Sequence, residues 1–231
     1  MENSLIQSNA IWDNYKGQDL SVTAIDHIFF IEVAAFFSKI DYYSVLSEKE
    51  LSKSSRFLHL ADRENYIVRK YLLRQLLSKF LHQPPEEITY FKIANKKPAV
   101  AELQFNTSHT KGYVVIAISD QPIGIDIEYL NPDFNYPEIL TQCFNSEELD
   151  FIKKGKDPLL NFYTLWTRKE ALIKATGEGL IENIDKIASI GQSFERNNII
   201  FKMDSFKKGN ILLSTAYVPK AKTLKLWTYS P

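Results

Sequence analysis

The sequence predicts an α+β protein in two halves, each reading helix first and strands later. Two long helical stretches, at 62–81 and 157–176, are each followed by short strand-like runs, and the polar Asn131-Pro132-Asp133 breaks the chain between them. With 231 residues, 45% of them hydrophobic and 15 Phe and 12 Tyr among them, the chain can fill one large core or two smaller ones.

The apolar run 25–37 (Ile28-Phe29-Phe30-Ile31 at its centre) reads as a buried strand. Ser47 opens a helix whose first turn carries Glu48 and Glu50, where the helix dipole favours acid. Over 62–81, Ile67, Leu73, Leu76, Leu77 and Phe80 recur at three-to-four spacing, while Arg63, Arg69, Lys70 and Arg74 read as the opposite, solvated face. Pro84-Pro85 stops that helix. A strand at 88–93, a polar loop at Asn95-Lys96-Lys97-Pro98 and two strands at 105–108 and 113–119 follow, the last two joined by a turn at Thr110-Lys111-Gly112. Another strand runs 123–128. In the second half, Ser146 is a candidate cap for a helix over 146–154 with Glu147 and Glu148 behind it. Asp157 as N-cap, Pro158 in the first turn and Gly177 at the end frame the helix over 157–176. Strands at 199–201, 210–216 and 223–228 complete the order.

Lys plus Arg equals Asp plus Glu at 28 each, so no whole-molecule field favours nucleic acid or an anionic membrane, and anion binding has to come from a local cluster. The single cysteine, Cys143, excludes an internal disulfide framework and a cysteine zinc site, and fits a reducing cytoplasm. No signal-like start and no run of about 18–20 apolar residues is present, so a membrane location is not expected.

Two segments carry chemistry. Asp126 and Glu128, two apart on a strand, project from one face, with Ile125 and Ile127 on the other. Adjacent carboxylates repel unless a hard cation such as Mg²⁺ neutralises them; alone, they equally read as a polar strand face. In Trp166-Thr167-Arg168-Lys169-Glu170-Ala171-Leu172-Ile173-Lys174, helical spacing puts Trp166, Glu170 and Lys174 on one stripe: a third carboxylate, an ammonium and an aromatic wall. By itself that stripe is also an ordinary Glu–Lys pair. No glycine-rich P-loop ending in Gly-Lys-Ser/Thr occurs.

Together, Ile123-Gly124-Ile125-Asp126-Ile127-Glu128 and Trp166 through Leu180 resemble the two signature motifs of the 4′-phosphopantetheinyl transferases, at the separation seen in the single-chain branch. Lys97-Pro98 resembles the family's Lys-Pro element, and Phe105-Asn106-Thr107-Ser108-His109 its F-N-x-S-H motif. The resemblance implies two similar α+β halves, 1–122 and 123–231, with the active site in the cleft between them. It implies coenzyme A as co-substrate and Mg²⁺ as cofactor. Asp126, Glu128 and Glu170 are then the metal ligands. Lys53, Lys92, Lys97, Pro98, Ser108, His109 and Lys174 contact coenzyme A; Arg69 and Arg74 could join them, though solvation on the helix surface is the preferred reading. Lys174 also acts in catalysis, and Glu148 or Lys169 is the base for the attacking serine, Glu148 being preferred. His109 outside this motif would read as a structural histidine, and Glu148 as a helix N-terminal acid. The implied reaction moves phosphopantetheine from coenzyme A to a serine of an acyl or peptidyl carrier protein, and a monomer is expected. The alternatives are a Mg²⁺-dependent phosphate hydrolase and a non-catalytic module that binds coenzyme A or a carrier.

Overall fold

The computed structural model describes residues 4–92, 98–179, 182–219 and 223–231. The first stretch of chain forms β1 (Trp12–Tyr15), β2 (Ile25–Glu32), α1 (Val33–Phe36), α2 (Glu48–Ser54), α3 (Leu60–Leu81), β3 (Phe91–Lys92), β4 (Pro98–Ala99), β5 (Gln104–Thr110) and β6 (Tyr113–Ser119). It continues through β7 (Ile123–Tyr129), α4 (Leu140–Cys143), α5 (Ser146–Lys154), α6 (Pro158–Thr176), β8 (Ser193–Arg196), β9 (Ile199–Lys208), β10 (Ile211–Tyr217) and β11 (Thr223–Tyr229). The architecture is α+β. Two compact units emerge among the described residues: 11–92, 98–120 and 223–231 in one, and 4–10, 121–179 and 182–219 in the other.

The first unit is a five-stranded sheet in the order β1-β11-β2-β6-β5. Its central strand β2 runs parallel to β11 and antiparallel to β6. Helix α3 covers one face: Val68, Leu72, Leu73, Leu76 and Leu77 share a core with Phe29, Ile31, Ile116 and Ile118. The hairpin between β5 and β6 closes on Lys111 and Gly112, both at positive φ (24° and 81°), which matches the twist of the flanking strands. The strand expected over 25–37 ends at Glu32 because its ladder partner ends there too. Glu32 pairs with Tyr113, the first residue of β6, and the next amide, Val33, donates to Gly112 O at 2.9 Å before the chain coils into α1. Of the strand expected at 88–93, Phe91–Lys92 forms and Ile88 instead closes the short helical turn Pro85–Glu87; Ile93 lies outside the described residues.

The solvated reading of Arg74 needs correction. Its side chain is buried, donating to Glu50 Oε2 at 2.9 Å and to the carbonyls of Pro85 and Ile88 at 2.9 and 3.0 Å. Residues after the Pro84-Pro85 stop fold back over α3, so the helix's basic face is partly interior.

The second unit is a four-stranded antiparallel sheet, β7-β10-β9-β8, with α6 across it. Ile6 adds an isolated bridge to Ser205 of β9. The helix begins where Asp157 accepts from the Leu160 amide at 2.9 Å and ends at Gly177 (φ 71°). The cap of α5 is Asn145, one residue before the expected Ser146; Asn145 and Glu148 form a reciprocal capping box. β1 and β8 were not expected from the sequence: each is four residues long and lies at a sheet edge, with little burial to imprint a pattern.

Candidate functional site

Gly124 sets the position of the acidic site. A Cβ there would fall 2.0 Å from Ala171 O and 2.3 Å from Ala175 N, so only glycine lets α6 lie this close to β7. Asp126 and Glu128 share the Gly124 face of the strand and meet the residues flanking Ala171 and Ala175 on the helix. Lys174 Nζ reaches Asp126 Oδ1 at 2.6 Å, and the Trp166 indole donates to Glu128. The helical stripe of Trp166, Glu170 and Lys174 thus meets the strand pair Asp126 and Glu128.

Asp126, Glu128 and Glu170 all feel the charge of Lys174. Asp126 is buried, while Glu128, Glu170 and Lys174 are half-buried. Burial, then the neighbouring Asp126 charge, pushes Glu128 up to about 7 against the pull of Lys174 and Trp166. Burial and Asp126 likewise raise Glu170. Among the described residues, no three His, Cys, Asp or Glu side chains stand in a preformed metal cage. As a donor set, hard carboxylate oxygens with an excess of negative charge suit Mg²⁺, which is commonly held by one or two carboxylates with water and phosphate oxygens completing the shell.

Glu148 and Lys169 sit elsewhere in the same unit, 1% and 0% exposed as side chains, their charges 2.8 Å apart. Each Glu148 oxygen takes two donors: Oε1 the Ser189 amide and hydroxyl at 2.9 and 2.6 Å, Oε2 the Asn145 amide at 3.1 Å and Lys169. Lys169 also donates to the carbonyls of Ile184 and Ile187. Its pKa is lowered, chiefly by burial. A carboxylate's acceptor capacity is about four such bonds, so Glu148 has no lone pair left for a substrate proton. In this arrangement both side chains are buried and engaged within the protein.

Arg168, unassigned on the sequence, joins the same network. It is 1% exposed and donates to the carbonyls of Ser189, Met203 and Gly191 and to Ser205 Oγ. Together Glu148, Arg168 and Lys169 tie α6 to the segment 184–191. No periodicity could have signalled this, because every partner is a backbone group or lies far along the chain.

In the other unit, Ser108 and His109 are neighbours on β5, Ser108 buried and His109 exposed. Lys53 is exposed near the end of α2, its Nζ 5.4 Å from the centroid of the Tyr66 ring. Lys92 pairs through its backbone with the exposed Pro98 across β3 and β4. Lys97 lies outside the described residues.

A family model described as the 4′-phosphopantetheinyl transferase superfamily matches residues 122–217, which contain Asp126, Glu128, Glu170 and Lys174. A second, the 4′-phosphopantetheinyl transferase N-terminal domain, matches residues 38–121, which contain Lys53, Ser108 and His109. The chain is 32% identical over 152 residues to the 4′-phosphopantetheinyl transferase Sfp of Bacillus subtilis, covering 64% of this chain and 67% of that protein. It is 33% identical over 141 residues to gsp of Aneurinibacillus migulanus, covering 59% of this chain and 58% of that one. To HetI of Nostoc it is 29% identical over 149 residues, covering 61% and 63%. The match thus spans about three-fifths to two-thirds of these relatives' lengths. The crystal structure of Thermotoga maritima holo-[acyl-carrier-protein] synthase overlaps 43% of this chain and 63% of its own at 15% identity and a TM-score of 0.31, too slight a likeness to argue from. Matched at both family domains, on the residues that build its acidic site, the chain belongs to the 4′-phosphopantetheinyl transferase superfamily.

Proposed function

We propose that this protein transfers the 4′-phosphopantetheine group of coenzyme A to a serine of an acyl or peptidyl carrier protein, with Mg²⁺ as cofactor. The observation that carries this reading is the meeting of Asp126 and Glu128 with Glu170 and Lys174 beneath Trp166. A bare phosphate hydrolase could use the same carboxylates, but family membership favours transfer to a carrier.

The serine Oγ attacks the β-phosphorus of coenzyme A. The bond from that phosphorus to the bridging oxygen breaks, and adenosine 3′,5′-bisphosphate leaves with the oxygen. Phosphoryl transfer of this kind asks chiefly for positioning and charge stabilisation. Asp126, Glu128 and Glu170 would hold Mg²⁺, which when bound supplies positive charge to the diphosphate. Lys174, next to Asp126, adds its charge to the same oxygens. With Glu148 engaged by four donors, we assign the serine's proton to a carboxylate of the acidic site, Glu170. Glu148 and Lys169 then act as positioning residues that hold α6 in place. Lys53, Lys92, Lys97, Pro98, Ser108 and His109 are assigned to coenzyme A binding. The protein is proposed to act in the cytoplasm as a monomer.

The test is intact mass spectrometry of apo carrier proteins incubated with this protein, coenzyme A and Mg²⁺. The expected result is a gain of about 340 Da, the mass of the phosphopantetheine group, abolished by EDTA. No gain on carriers of the fatty acid, polyketide and peptide types, with coenzyme A bound all the same, would favour a non-catalytic binding module.

A further inference from the structure

Thr167, Ser205 and Ser214 are fully buried, yet each carries a hydroxyl into the layer where α6 meets its sheet. The two serines form one row with the acidic site. Ser214 stands opposite Asp126 across β10 and β7, and Ser205 opposite Ser214 across β9 and β10, so all three share the face that α6 covers. Ser214 Oγ lies 2.7 Å from Thr167 Oγ1 and 2.8 Å from Ser205 Oγ. Arg168 Nη1 donates to Ser205 Oγ at 3.3 Å, and Thr167 Oγ1 donates to the Tyr163 carbonyl at 2.9 Å.

Each hydroxyl has one proton, a guanidinium only donates and a carbonyl only accepts. One order of protons puts a hydrogen on every one of these contacts: Arg168 to Ser205, Ser205 to Ser214, Ser214 to Thr167, and Thr167 to the Tyr163 carbonyl. The chain starts on a cation, so each bond polarises the next. Removing the middle hydroxyl strands a donor on Ser205 and an acceptor on Thr167, both fully buried.

Gly124 sets how closely α6 approaches the sheet, but a glycine against helix backbone gives contact without direction. Hydrogen bonds are directional, and apolar contact is not. The ties of Glu148 and Lys169 run to the segment 184–191, whereas the hydroxyl chain runs to the sheet that carries Asp126. Thr167 precedes Glu170 by three residues and Lys174 by seven, so the three lie along one side of α6. A turn or slide of the helix at Thr167 is therefore passed to Glu170 and to Lys174, whose Nζ meets Asp126 Oδ1 at 2.6 Å.

We propose that Thr167, Ser214 and Ser205 are positioning residues: their hydroxyl chain fixes the rotation and slide of α6 on the sheet, and so holds Glu170 and Lys174 against Asp126 in the geometry that takes a divalent cation. The proposal rests on the reading of Asp126, Glu128 and Glu170 as Mg²⁺ ligands.

Calorimetric titration of Mg²⁺, with and without coenzyme A, into the wild type, Thr167→Val, Thr167→Ser and Ser214→Ala tests this, with urea unfolding run beside it. Valine keeps the shape of threonine without its hydroxyl, whereas serine keeps the hydroxyl. Thr167→Val and Ser214→Ala should each weaken Mg²⁺ binding by at least about tenfold, with Thr167→Ser close to the wild type. Thr167→Val/Ser214→Ala should weaken it no further than the worse single change, because one break already opens the chain. Lowered urea midpoints with unchanged Mg²⁺ affinity would confine the hydroxyls to stability and overturn the proposal. Equal weakening in Thr167→Ser and Thr167→Val would overturn it too. If Ser214→Ala does not fold, the two Thr167 variants carry the same criterion. A wild type that takes up no Mg²⁺ sinks the metal reading and this inference with it, whereas a wild type that binds Mg²⁺ beside unaffected variants sinks this inference alone. Because binding is what is read, failure of carrier modification leaves the outcome standing.

Discussion

Glu148 and Lys169 hold their charges 2.8 Å apart in the protein interior, with every Glu148 acceptor site filled. A pair of this kind is held by its surroundings. Removing one partner strands the other charge in low dielectric, whereas replacing both with apolar groups relieves the desolvation cost. Lys169→Met should therefore destabilise the protein by about 3–5 kcal/mol in urea unfolding, and Glu148→Gln/Lys169→Met should cost less than the sum of the single changes. Strict additivity would mean the two side chains do not act as a unit.

Gly124→Ala puts a methyl group against three backbone atoms of α6, none of which can rotate away. Overpacking of this sort costs about 1–3 kcal/mol where side chains can yield, and here the cost should reach or exceed the upper end. Because Asp126 and Glu128 hang from the same strand face, carrier modification should fall with stability. A Gly124→Ala protein with unchanged denaturation midpoint and full activity would show that the close approach of α6 is not needed.

Asp126→Ala removes the carboxylate nearest Lys174. Carrier modification in the presence of Mg²⁺ should drop by about two orders of magnitude or more, while circular dichroism and the melting profile stay close to the wild type. Wild-type turnover in this variant would sink the metal assignment.

The helix stop after α6 is clamped at its surface. Glu178 accepts from Arg196 Nε and Nη2 at 2.7 and 2.5 Å and from Asn197 at 3.0 Å, and the Arg196 hydrogen bonds hold its carboxyl below the usual range. A folded pKa lower than the unfolded one adds stability that is fully present above the unfolded value, near 4.5, and is lost as pH falls through the folded value. Both side chains are partly exposed, so Glu178→Gln should cost less than about 1 kcal/mol at pH 7. That difference should shrink as acid unfolding is followed below pH 4.5, and a cost that grows on acidification would contradict the sign of the shift.

Much of this was legible in the sequence because it is local. The helix start at Ser47 with its first-turn acids, the frame of Asp157, Pro158 and Gly177 around α6, and the turn at Lys111-Gly112 each involve groups within a few residues, so their signals are written side by side. Asp126-x-Glu128 and the stripe Trp166–Glu170–Lys174 were readable for the same reason, since periods of 2 and of 3–4 residues are properties of one element. The tertiary structure alone decided which faces became interior. Arg69 and Arg74 fall on one helix and look alike in sequence, yet only Arg74 meets Glu50 and the carbonyls after Pro84, because those groups arrive from other segments. Glu148 likewise reads as a first-turn acid, and only its meeting with Lys169 and Ser189, 21 and 41 residues on, turns it into a sealed structural charge. Local patterns fix backbone geometry, whereas the desolvation and pairing of a charge depend on what the rest of the chain folds against it.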